Sequence, residues 1–538
     1  MRIPRIPHIT RYAPAVAVVS FSVVPLLFFA NERGNIYDFA AAEGSLIALF
    51  GMVVGLALWG LAWLPLRDWT KAAVLATLLT FPIFHFRSAV VELLELFPGV
   101  SRPSLILYPV VAVLAVLVTV LLRRATLARA RTFANYLAVV GGILLAYQLV
   151  TLGIGLERNR GATVQVGNDD FVRAAAKAET PEQAPDIYYL VFDRYGGQIG
   201  LSESYGFDNT PFVKTLRDKG FFVADASFGN YPITASSLAS SWNGGLLETS
   251  GDVRNVRSRQ ELYPLVENPA AGRFLQQNGY RHLHVGSWWG PTQALASADR
   301  NYQSAWRLGP DSAHVHISHL TSVYLVGTMF VDLQEKAFGP FQVENQHGTV
   351  FKRQFATLEQ LAAEQDGPRL ISSHILMPHP PFAFDAQGGT KIDRSRGARQ
   401  NYLDQLAYTN GRIQTLVDRI LAAYPADKQP IIVLTADEGE YPYVGGYGAS
   451  ESAVNLREKT NILNAFYFPG ENYERLYNTI TPVNNFRVIF DQFFDTGLGL
   501  EPDRTYTVRD VNTPYDFVDV TNRVRQAPGP PGSGIVSH

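Results

Sequence analysis

Five apolar runs before residue 156 constrain the fold of this chain more than any other feature of its sequence. A helix needs about 20 consecutive apolar residues to cross the hydrocarbon core of a bilayer. The runs cover residues 13–30, 45–66, 72–86, 104–122 and 136–154. The third run is short and contains Pro82, so a re-entrant segment is the alternative to a span there. We therefore predict a transmembrane domain of five helices over residues 1–155.

Basic residues between these runs predict the orientation of the spans, because Lys and Arg accumulate in cytoplasmic loops. With a cytoplasmic N-terminus, nine basic residues fall on the inner side and three on the outer side. The inner ones are Arg2, Arg5, Arg11, Arg67, Lys71, Arg123, Arg124, Arg129 and Arg131, and the outer ones are Arg33, Arg87 and Arg102. This distribution predicts a multi-pass protein of a bacterial-type inner or plasma membrane, with everything after residue 155 in the periplasm or at the cell surface. A cleaved signal peptide is the alternative for the first run, but no small-residue cleavage site follows it cleanly.

The overall composition excludes several classes of function. Lys and Arg number 46 against 48 for Asp and Glu, and a net charge of −2 gives no electrostatic basis for binding nucleic acid. The chain has no cysteine, which excludes disulfide frameworks, thiolate metal sites and thiol nucleophiles. Charged residues make up 17% of the chain, below the roughly 25% of soluble proteins, which indicates contact with lipid.

The second half of the chain has the pattern of an α/β domain, which we assign to residues 186–523. Short β-branched runs alternate there with stretches of helical spacing. The runs expected as strands lie at 187–192, 221–225, 280–286, 369–376, 430–436 and 463–470. Such alternation predicts a largely parallel sheet with helices on both faces. We assign residues 156–185 to a polar linker, and residues 524–538, which are rich in Pro, Gly and Ser, to a disordered tail.

Acidic residues follow two of the expected strands, where ligand chemistry gathers in sheets of this kind. Asp193 ends the run IYYLVF, and Asp437 and Glu438 come directly after PIIVLTA. Adjacent carboxylates repel one another unless protons or a cation lie between them. A cation site is therefore expected, while a capping role for Asp193 and a solvated acidic turn at 437–438 stay open as alternatives.

Two histidines five residues apart occur in the strand RLISSHIL and the following MPHPPF. His379 lies between prolines, which stiffen its backbone and favour an aimed imidazole. His374 lies inside the apolar run, so a hydrogen-bonded structural histidine is the alternative to a ligand. Arg194, which follows Asp193 directly, is a further candidate for binding substrate.

A hydroxyl-rich stretch, NYPITASSLASSWNGG, lacks acids and bases and suits the first turns of a helix from Thr234 onward. A hydroxyl at a helix N-terminus faces free backbone N–H groups and the positive end of the helix dipole, so it can attack phosphorus while those groups hold the anion. The alternative is a plain N-cap, and only metal ligands nearby would make Thr234 a nucleophile. Ser236 is the next hydroxyl in line.

Together these stretches resemble the alkaline phosphatase and sulfatase superfamily, in particular its membrane-anchored branch of lipoteichoic acid synthases and lipid A phosphoethanolamine transferases. In that branch an acidic residue ends the first strand, a threonine opens a helix, and Asp-His-Gly-Glu follows a late strand. The resemblance covers about residues 186–500 and the five-span anchor before them. It implies that Asp193 and Asp437 are metal ligands and that Thr234 is the nucleophile that the metal activates.

The resemblance extends to candidate substrate-binding residues. The spacing of His374 and His379 is similar to a histidine pair in the phosphoethanolamine transferases, whose second member helps to bind phosphate or a second metal. The stretch GYRHLHVGSWW resembles the superfamily's Gly-Tyr strand that ends near the active site. This makes Ser287 and Trp288 candidates for lining the pocket, with core packing at the strand end as the alternative.

Two departures from the family pattern limit what the resemblance implies. Glu438 stands where the branch has histidine. A divalent metal site built from Asp193, Thr234, Asp437 and Glu438 is all oxygen, which favours Mn or Mg over Zn. The sulfatase signature, Cys or Ser followed by x-Pro-x-Arg, is missing, so formylglycine-dependent sulfate hydrolysis is not expected.

The function that the resemblance implies is a metal-dependent phosphotransferase at the outer face of the membrane. Thr234 would take a substituted phosphate, of the phosphoethanolamine or phosphoglycerol type, from a membrane phospholipid donor and pass it to an envelope glycan or lipid acceptor. His379 would stabilise the phosphate oxygens or protonate a leaving group. Two alternatives stay open: a membrane-anchored phosphodiesterase or phosphatase that passes the phosphate to water, and a non-catalytic envelope protein that binds lipid.

Overall fold

The computed structural model describes residues 9–33, 42–85, 104–159, 162–166, 170–178, 184–302, 307–308, 315–316, 328–329, 343–390, 396–442 and 445–526. Contacts within the chain divide it into two compact units. One unit consists of Met1–Arg160 with Leu308–Val343, and the other of Gly161–Arg307 with Glu344–His538. The first unit contains the apolar helices, and the second contains the α/β domain.

Five helices of the first unit occupy the positions of the five apolar runs. They are α1 (Ile9–Arg33), α2 (Ala42–Leu66), α3 (Trp69–Phe84), α4 (Ser104–Arg124) and α5 (Leu127–Asn159). Among the described residues, α1, α2, α4 and α5 are long and apolar enough to cross a membrane, while α3 has only 16 residues. Large apolar side chains on these helices are exposed, such as Val116 at 63% and Leu121 at 65%. Contiguous exposed apolar surface of this kind needs lipid or a partner to cover it.

The second unit alternates strands and helices over its described residues. Its strands are β1 (Ala162–Val166), β2 (Ile187–Phe192), β3 (Phe222–Val223), β4 (Leu247–Gly251), β5 (Arg281–Val285), β6 (Arg300–Tyr302), β9 (Arg369–Ile375), β10 (Ile431–Thr435), β11 (Asn464–Tyr467), β12 (Tyr506–Val508) and β13 (Phe517–Asp519). Two further strands of two residues each, β7 (Arg307–Leu308) and β8 (Val315–His316), follow β6 in the chain, and β8 belongs to the first unit.

The helices of this unit lie between these strands in sequence. They are α6 (Asp170–Ala175), α7 (Gln198–Tyr205), α8 (Thr210–Asp218), α9 (Thr234–Ser241), α10 (Tyr263–Glu267), α11 (Ala270–Gln277), α12 (Val343–Ala363), α13 (Gly397–Ala423), α14 (Ala453–Thr460), α15 (Asn485–Phe493) and α16 (Thr521–Arg525). Several have an apolar side that is buried, such as Phe274 and Leu275 of α11. The prediction of apolar N-terminal helices followed by an α/β domain is therefore confirmed.

Within the part of the chain that the structure describes, the central sheet has seven strands in the order β3-β11-β10-β2-β9-β5-β6. The pairs from β10 through β6 are parallel, and only β11 runs antiparallel to its neighbours β10 and β3. The inner strands β2, β9 and β10 are buried along their whole length. Strands that are covered on both faces have continuous apolar sequences. The sequence therefore predicted these strands and the largely parallel sheet that they form.

Residues 156–185, expected to form a linker, contribute two elements to the second unit. Strand β1 pairs antiparallel with β4. Phe171 of α6 is 1% exposed, and its ring lies 4.9 Å from that of Phe490 in an edge-to-face contact. At the other end of the chain, α16 extends to Arg525, and residues 527–538 of the expected disordered tail lie outside the described residues.

Candidate metal and catalytic site

The candidate site lies where the three central parallel strands of the sheet end. Val191 of β2 pairs with His374 of β9 on one side and with Thr435 of β10 on the other. This register brings the residues after the strands to one edge, with Asp193 following β2 and Asp437 following β10. Ligand sites form at this edge in sheets of this type.

Asp193, His374 and Asp437 form a buried group of the kind that holds a metal ion. Each supplies one ligand atom, and these atoms lie within 4.8 Å of one another. The three residues are 2%, 0% and 1% exposed. Asp193 Oδ1, His374 Nε2 and Asp437 Oδ2 have no hydrogen-bond partner among the described residues, although buried polar atoms are rarely left unpaired. Their chemistry and their burial fit a bound divalent cation.

Burial shifts the pKa values of Asp193, Asp437 and His374. Such shifts are expected where buried carboxylates lack a cation to balance their negative charge. The pKa of Asp193 is raised well above its usual value, first by burial and then by the charges of Asp437 and Glu438. Burial also raises the pKa of Asp437, whereas a hydrogen bond from Thr234 lowers it. Burial lowers the pKa of His374 to about 3, so the imidazole is neutral at pH 7, as metal ligation requires.

Thr234 is the first residue of α9, and its side chain contacts Asp437. The preceding Ile233 is the N-cap and makes no side-chain cap hydrogen bond, so Thr234 does not act as the cap. The Thr234 hydroxyl instead interacts with the Asp437 carboxylate and lowers its pKa. Ser237 donates from Oγ to the Asp437 carbonyl oxygen at 2.5 Å. Ser236 is fully buried and donates to the Ile233 carbonyl oxygen at 3.0 Å.

Glu438 is held by basic side chains and lies outside the group of three. Its Oε1 is 2.8 Å from Nζ of Lys459 and 3.4 Å from Nε of Arg194. Burial lowers the pKa of the Lys459 ammonium, while the charge of Glu438 raises it. The grouped ligand atoms thus include His374, whereas the sequence predicts Glu438 in that set.

Arg194 links the segment after β2, which contains Asp193, to the acidic segment after β10. Its backbone N–H donates to Asp437 Oδ1 at 3.2 Å, and its Nη1 is 3.3 Å from Oε1 of Glu440. The connected charged groups are four carboxylates and two cations, namely Asp193, Asp437, Glu438, Glu440, Arg194 and Lys459. When all six are ionised their net charge is −2, equal in magnitude to the charge of a divalent cation, and burying that charge without a counter-ion is unfavourable.

His379 and Trp288 form the neighbouring part of the site. The backbone N–H of His379 donates to the Asp193 carbonyl oxygen at 3.2 Å. Its ring Nδ1 contacts the Pro380 carbonyl oxygen, and burial lowers its pKa well below the usual value. The Trp288 ring centroid is 6.1 Å from that of His379 and 4.7 Å from that of His347.

Ser287, predicted to line a pocket, has its hydroxyl directed into the protein. The residue is fully buried, and its Oγ is 2.7 Å from Oγ1 of Thr292. Thr292 Oγ1 is in turn 3.0 Å from Nδ1 of His374. Ser287 is therefore connected to the group of three through Thr292.

Three residues of this region were not predicted from the sequence. Lys459 lies in a stretch, NLREKT, with the composition of a solvated helix, and His347 lies in the polar stretch VENQHGT. Thr292 follows Gly-Pro in an ordinary turn pattern. None of the three stands next to a recognisable motif, so their positions depend on tertiary packing.

Solved structures to which the chain is similar include three phosphoethanolamine transferase proteins. The C-terminal periplasmic domain of EcEptC from Escherichia coli has 13% identity and a TM-score of 0.41, over 63% of this chain and 94% of that chain. The corresponding domain of phosphoethanolamine transferase EptC from Campylobacter jejuni has 13% identity and a TM-score of 0.36, over 61% and 94%. The integral membrane protein lipooligosaccharide phosphoethanolamine transferase A from Neisseria meningitidis has 11% identity and a TM-score of 0.39, over 90% and 96%.

The family of the chain is given by a match to a sequence model. The sulfatase family model matches residues 185–487, which is more than half of the chain and spans every residue of the candidate site. No curated protein sequence matches the chain. The predicted resemblance to the alkaline phosphatase and sulfatase superfamily is thereby confirmed. The chain belongs to the sulfatase family of this superfamily.

Proposed function

We propose that this protein is a metal-dependent phosphotransferase that forms a covalent phosphothreonine at Thr234. The observation that carries the proposal is the position of Thr234 at the start of α9, where its hydroxyl lowers the pKa of Asp437, a member of the buried group with Asp193 and His374. A hydroxyl that opens a helix and contacts a candidate metal ligand has the surroundings that a metal-activated nucleophile needs.

Asp193, His374 and Asp437 would hold one divalent cation beside the Thr234 hydroxyl. Two carboxylates and an imidazole suit manganese or zinc, whereas the all-oxygen set predicted from the sequence favours manganese or magnesium. When bound, the cation would lower the pKa of a coordinated hydroxyl and balance the charge of the phosphate.

In the first step, Thr234 Oγ1 would attack the phosphorus of a phospholipid headgroup. The new Oγ1–P bond forms as the P–O bond to the lipid glycerol breaks, and diacylglycerol leaves with a proton. The Asp437 carboxylate, which interacts with Thr234, would take the hydroxyl proton and pass it to the glycerol oxygen of the leaving diacylglycerol.

Positive groups next to Thr234 support the binding of a phosphate. The first hydrogen bond within α9 runs from the Ser237 N–H to the Ile233 carbonyl oxygen at 2.9 Å. The N–H groups before Ser237 therefore point out of the helix start, where an anion is stabilised. Arg194 and Lys459 add two positive charges to the same cluster of side chains.

In the second step, His379 would act as a base for the acceptor hydroxyl. Its Nδ1 contacts the Pro380 carbonyl oxygen, which can only accept, so Nδ1 carries the proton and Nε2 carries the lone pair. The lowered pKa keeps this ring neutral at pH 7. A neutral imidazole fits the removal of a proton from an incoming hydroxyl, which then attacks phosphorus as the Oγ1–P bond breaks. The proton taken by His379 would pass to Thr234 Oγ1 and restore its hydroxyl.

The donor that we propose is a membrane phospholipid, and the acceptor is a glycan or lipid of the cell envelope. Four apolar helices in the same chain support a donor that is held in the bilayer. The basic residues around the apolar runs support a second unit outside the cytoplasm, where such acceptors occur.

The test is mass spectrometry of the full-length protein after incubation with vesicles of phosphatidylethanolamine and phosphatidylglycerol and added Mn²⁺ or Zn²⁺. We expect an adduct on the peptide that contains Thr234, and its mass identifies the transferred group. The adduct should be absent from Thr234→Ala and present in the matched variant Ser236→Ala. An adduct on Ser236, or turnover with no adduct on any residue, would reject Thr234 as the nucleophile.

A second measurement separates a transferase from a hydrolase. Labelled vesicles are incubated with and without a detergent-solubilised envelope extract that supplies acceptors. A transferase moves the label to the extract, because the phosphothreonine reacts with an acceptor hydroxyl in the second step. Release of free headgroup phosphate at the same rate in both cases would reject the transfer step and leave a phosphodiesterase.

A further inference from the structure

We propose that Thr292 is a positioning residue that fixes the tautomer and the direction of His374. On this proposal, metal affinity at the candidate site depends on a hydroxyl that contacts neither the metal nor the substrate. The proposal rests on the cation site described under the proposed function. It does not depend on phosphoryl transfer.

The backbone of Thr292 is held in place from several sides. Thr292 ends a short 3₁₀ turn, Gly290–Thr292, that folds back onto the end of β5. Its carbonyl oxygen accepts from the Ser287 N–H at 2.9 Å and from Nε2 of His284 at 2.9 Å. Gly286 allows the close approach, since a Cβ there would lie 2.1 Å from the Gln293 carbonyl oxygen.

The side chain of Thr292 is part of a chain of buried hydrogen bonds. His374 Nδ1 is 3.0 Å from Thr292 Oγ1, which is 2.7 Å from Ser287 Oγ. Ser287 Oγ is in turn 3.4 Å from the Trp289 carbonyl oxygen. Thr292, Ser287 and His374 are all 0% exposed, so no solvent competes for these contacts.

The Trp289 carbonyl oxygen favours one direction of donation along this chain, although it also accepts from the Thr292 N–H at 3.0 Å, and Ser287 Oγ also accepts from the Trp289 N–H at 3.0 Å. The Trp289 carbonyl oxygen can only accept, so Ser287 donates to it, and Thr292 donates to Ser287. The Thr292 oxygen then accepts the proton carried by Nδ1 of His374. The other ring nitrogen, Nε2, is left with the lone pair, which is the form of histidine that binds a metal.

The same turn also aims the ring of His374. Nε2 lies 3.6 Å from Oδ2 of Asp193, too far for a hydrogen bond but suited to two ligands of one ion. The Trp289 ring makes an edge contact with the imidazole at 5.8 Å between centroids. A hydrogen bond on one side and an aromatic contact on another leave the ring little freedom to rotate.

A second histidine secures Thr292 through its backbone. His284 Nε2 faces the Thr292 carbonyl oxygen, so it must carry the proton, and Nδ1 accepts from Ser372 Oγ at 2.9 Å. Ser372 then accepts from Nε2 of His282 at 2.8 Å. These buried groups hold the turn against β5 and β9, and the Thr292 hydroxyl with it.

The test measures metal affinity rather than turnover. Full-length protein in detergent, stripped with EDTA, is titrated with Mn²⁺ and with Zn²⁺ by calorimetry. Thr292→Val has nearly the same shape but lacks the hydroxyl, and we expect its affinity to fall by about 10–100-fold. Thr292→Ser keeps the hydroxyl and should bind within about threefold of the wild-type affinity. An affinity of Thr292→Val within the same range as Thr292→Ser would overturn the proposal.

Thermal unfolding separates positioning from a general loss of stability. If Thr292 acts through His374, the rise in melting temperature caused by metal should shrink in Thr292→Val, because ligand stabilisation follows affinity. An equal loss of melting temperature with and without metal would instead indicate a merely structural role and overturn the proposal. If Thr292→Val does not fold, Ser287→Ala removes the next link, and an unchanged metal affinity there would also overturn it.

These outcomes are independent of the proposed transfer reaction. A protein that binds metal in a Thr292-dependent way but forms no adduct at Thr234 would reject the transferase proposal alone. If the wild-type protein forms the adduct and the Thr292→Val variant binds metal as tightly as wild type, the positioning role alone would be rejected.

Discussion

The ammonium of Lys459 lies 2.8 Å from Oε1 of Glu438, and both side chains are almost completely buried. Arg194 contacts the same oxygen at 3.4 Å. The two cations contact one oxygen of this carboxylate, whereas its Oε2 is buried with no hydrogen-bond partner among the described residues. In the membrane-anchored branch that the sequence resembles, this position is a histidine, and here the acid that replaces it is matched by a buried lysine.

The first prediction separates Glu438 from the three grouped residues. Glu438→Gln should keep metal affinity within about threefold of wild type, because its contacts are with Lys459 and Arg194. Asp437→Asn, which removes a charge from the group itself, should lower affinity by at least about 100-fold. Titration calorimetry with Mn²⁺ on both variants provides the comparison. An equal loss in the two would make Glu438 a ligand, as the sequence predicts.

The second prediction concerns the nucleophile. Thr234→Ala should lower turnover of labelled phosphatidylethanolamine by about 10³-fold or more, because the attacking oxygen is removed. Thr234 is only half-buried, so the melting temperature of the Thr234→Ala variant should differ little from that of wild type. Thr234→Ser, which keeps a hydroxyl, should retain measurable turnover and serves as the matched control. Full activity in Thr234→Ala would move the search to another hydroxyl.

The third prediction concerns the pH dependence of stability in EDTA-treated protein. The pKa of Asp193 is raised in the folded state, so the stability linked to its proton is present at low pH and lost as pH rises through the raised pKa. Asp193→Asn removes this dependence. The variant should exceed wild type in free energy of unfolding, by more at pH 8 than at pH 5, in urea titrations.

The control for this prediction is the exposed acid Asp218, whose side chain is 60% exposed. Asp218→Asn should change the free energy of unfolding by no more than about 0.5 kcal/mol at either pH. A difference between Asp193→Asn and wild type that does not grow with pH would contradict the raised pKa.

The fold was predictable from the sequence because its buried elements have strong periodic patterns. Strands β2, β9 and β10 are continuous apolar runs, and the acids that follow them must lie at one edge of a parallel sheet. Local pattern does not show strand direction at the edge, so the antiparallel β11 was not foreseen.

Site residues were predictable only where a reactive side chain directly follows a recognisable strand or helix pattern. Asp193 and Asp437 follow apolar strands, and the structure brings them together with His374. The interpretation of His374 depended on register, since only its pairing with Val191 places it level with the strand ends. Lys459 is 22 residues beyond Asp437 in an unremarkable helix, so its pairing with Glu438 is visible only in three dimensions.

The last prediction concerns the opposite end of the sheet, where Arg369 is fully buried and pairs with Asp186. Arg369 Nη2 is 2.5 Å and Nε is 3.0 Å from Asp186 Oδ2, and Tyr424 donates to the same oxygen at 2.6 Å. Asp186→Asn leaves the buried guanidinium with only the exposed Asp366, whose Oδ1 is 3.8 Å from Nη1, as a charged partner, and should destabilise the protein by about 3–5 kcal/mol in urea titrations.

The matched control is the exposed pair of Lys214 with Asp218, whose side chains are 70% and 60% exposed. Lys214→Ala should change stability by no more than about 0.5 kcal/mol, because water and salt screen such pairs. Metal affinity of Asp186→Asn at a temperature where it is folded should stay near wild type, because Asp186 precedes β2 whereas Asp193 follows it. A similar small change in Asp186→Asn and Lys214→Ala would show that Arg369 finds another partner and that this ion pair does not hold β2 to β9.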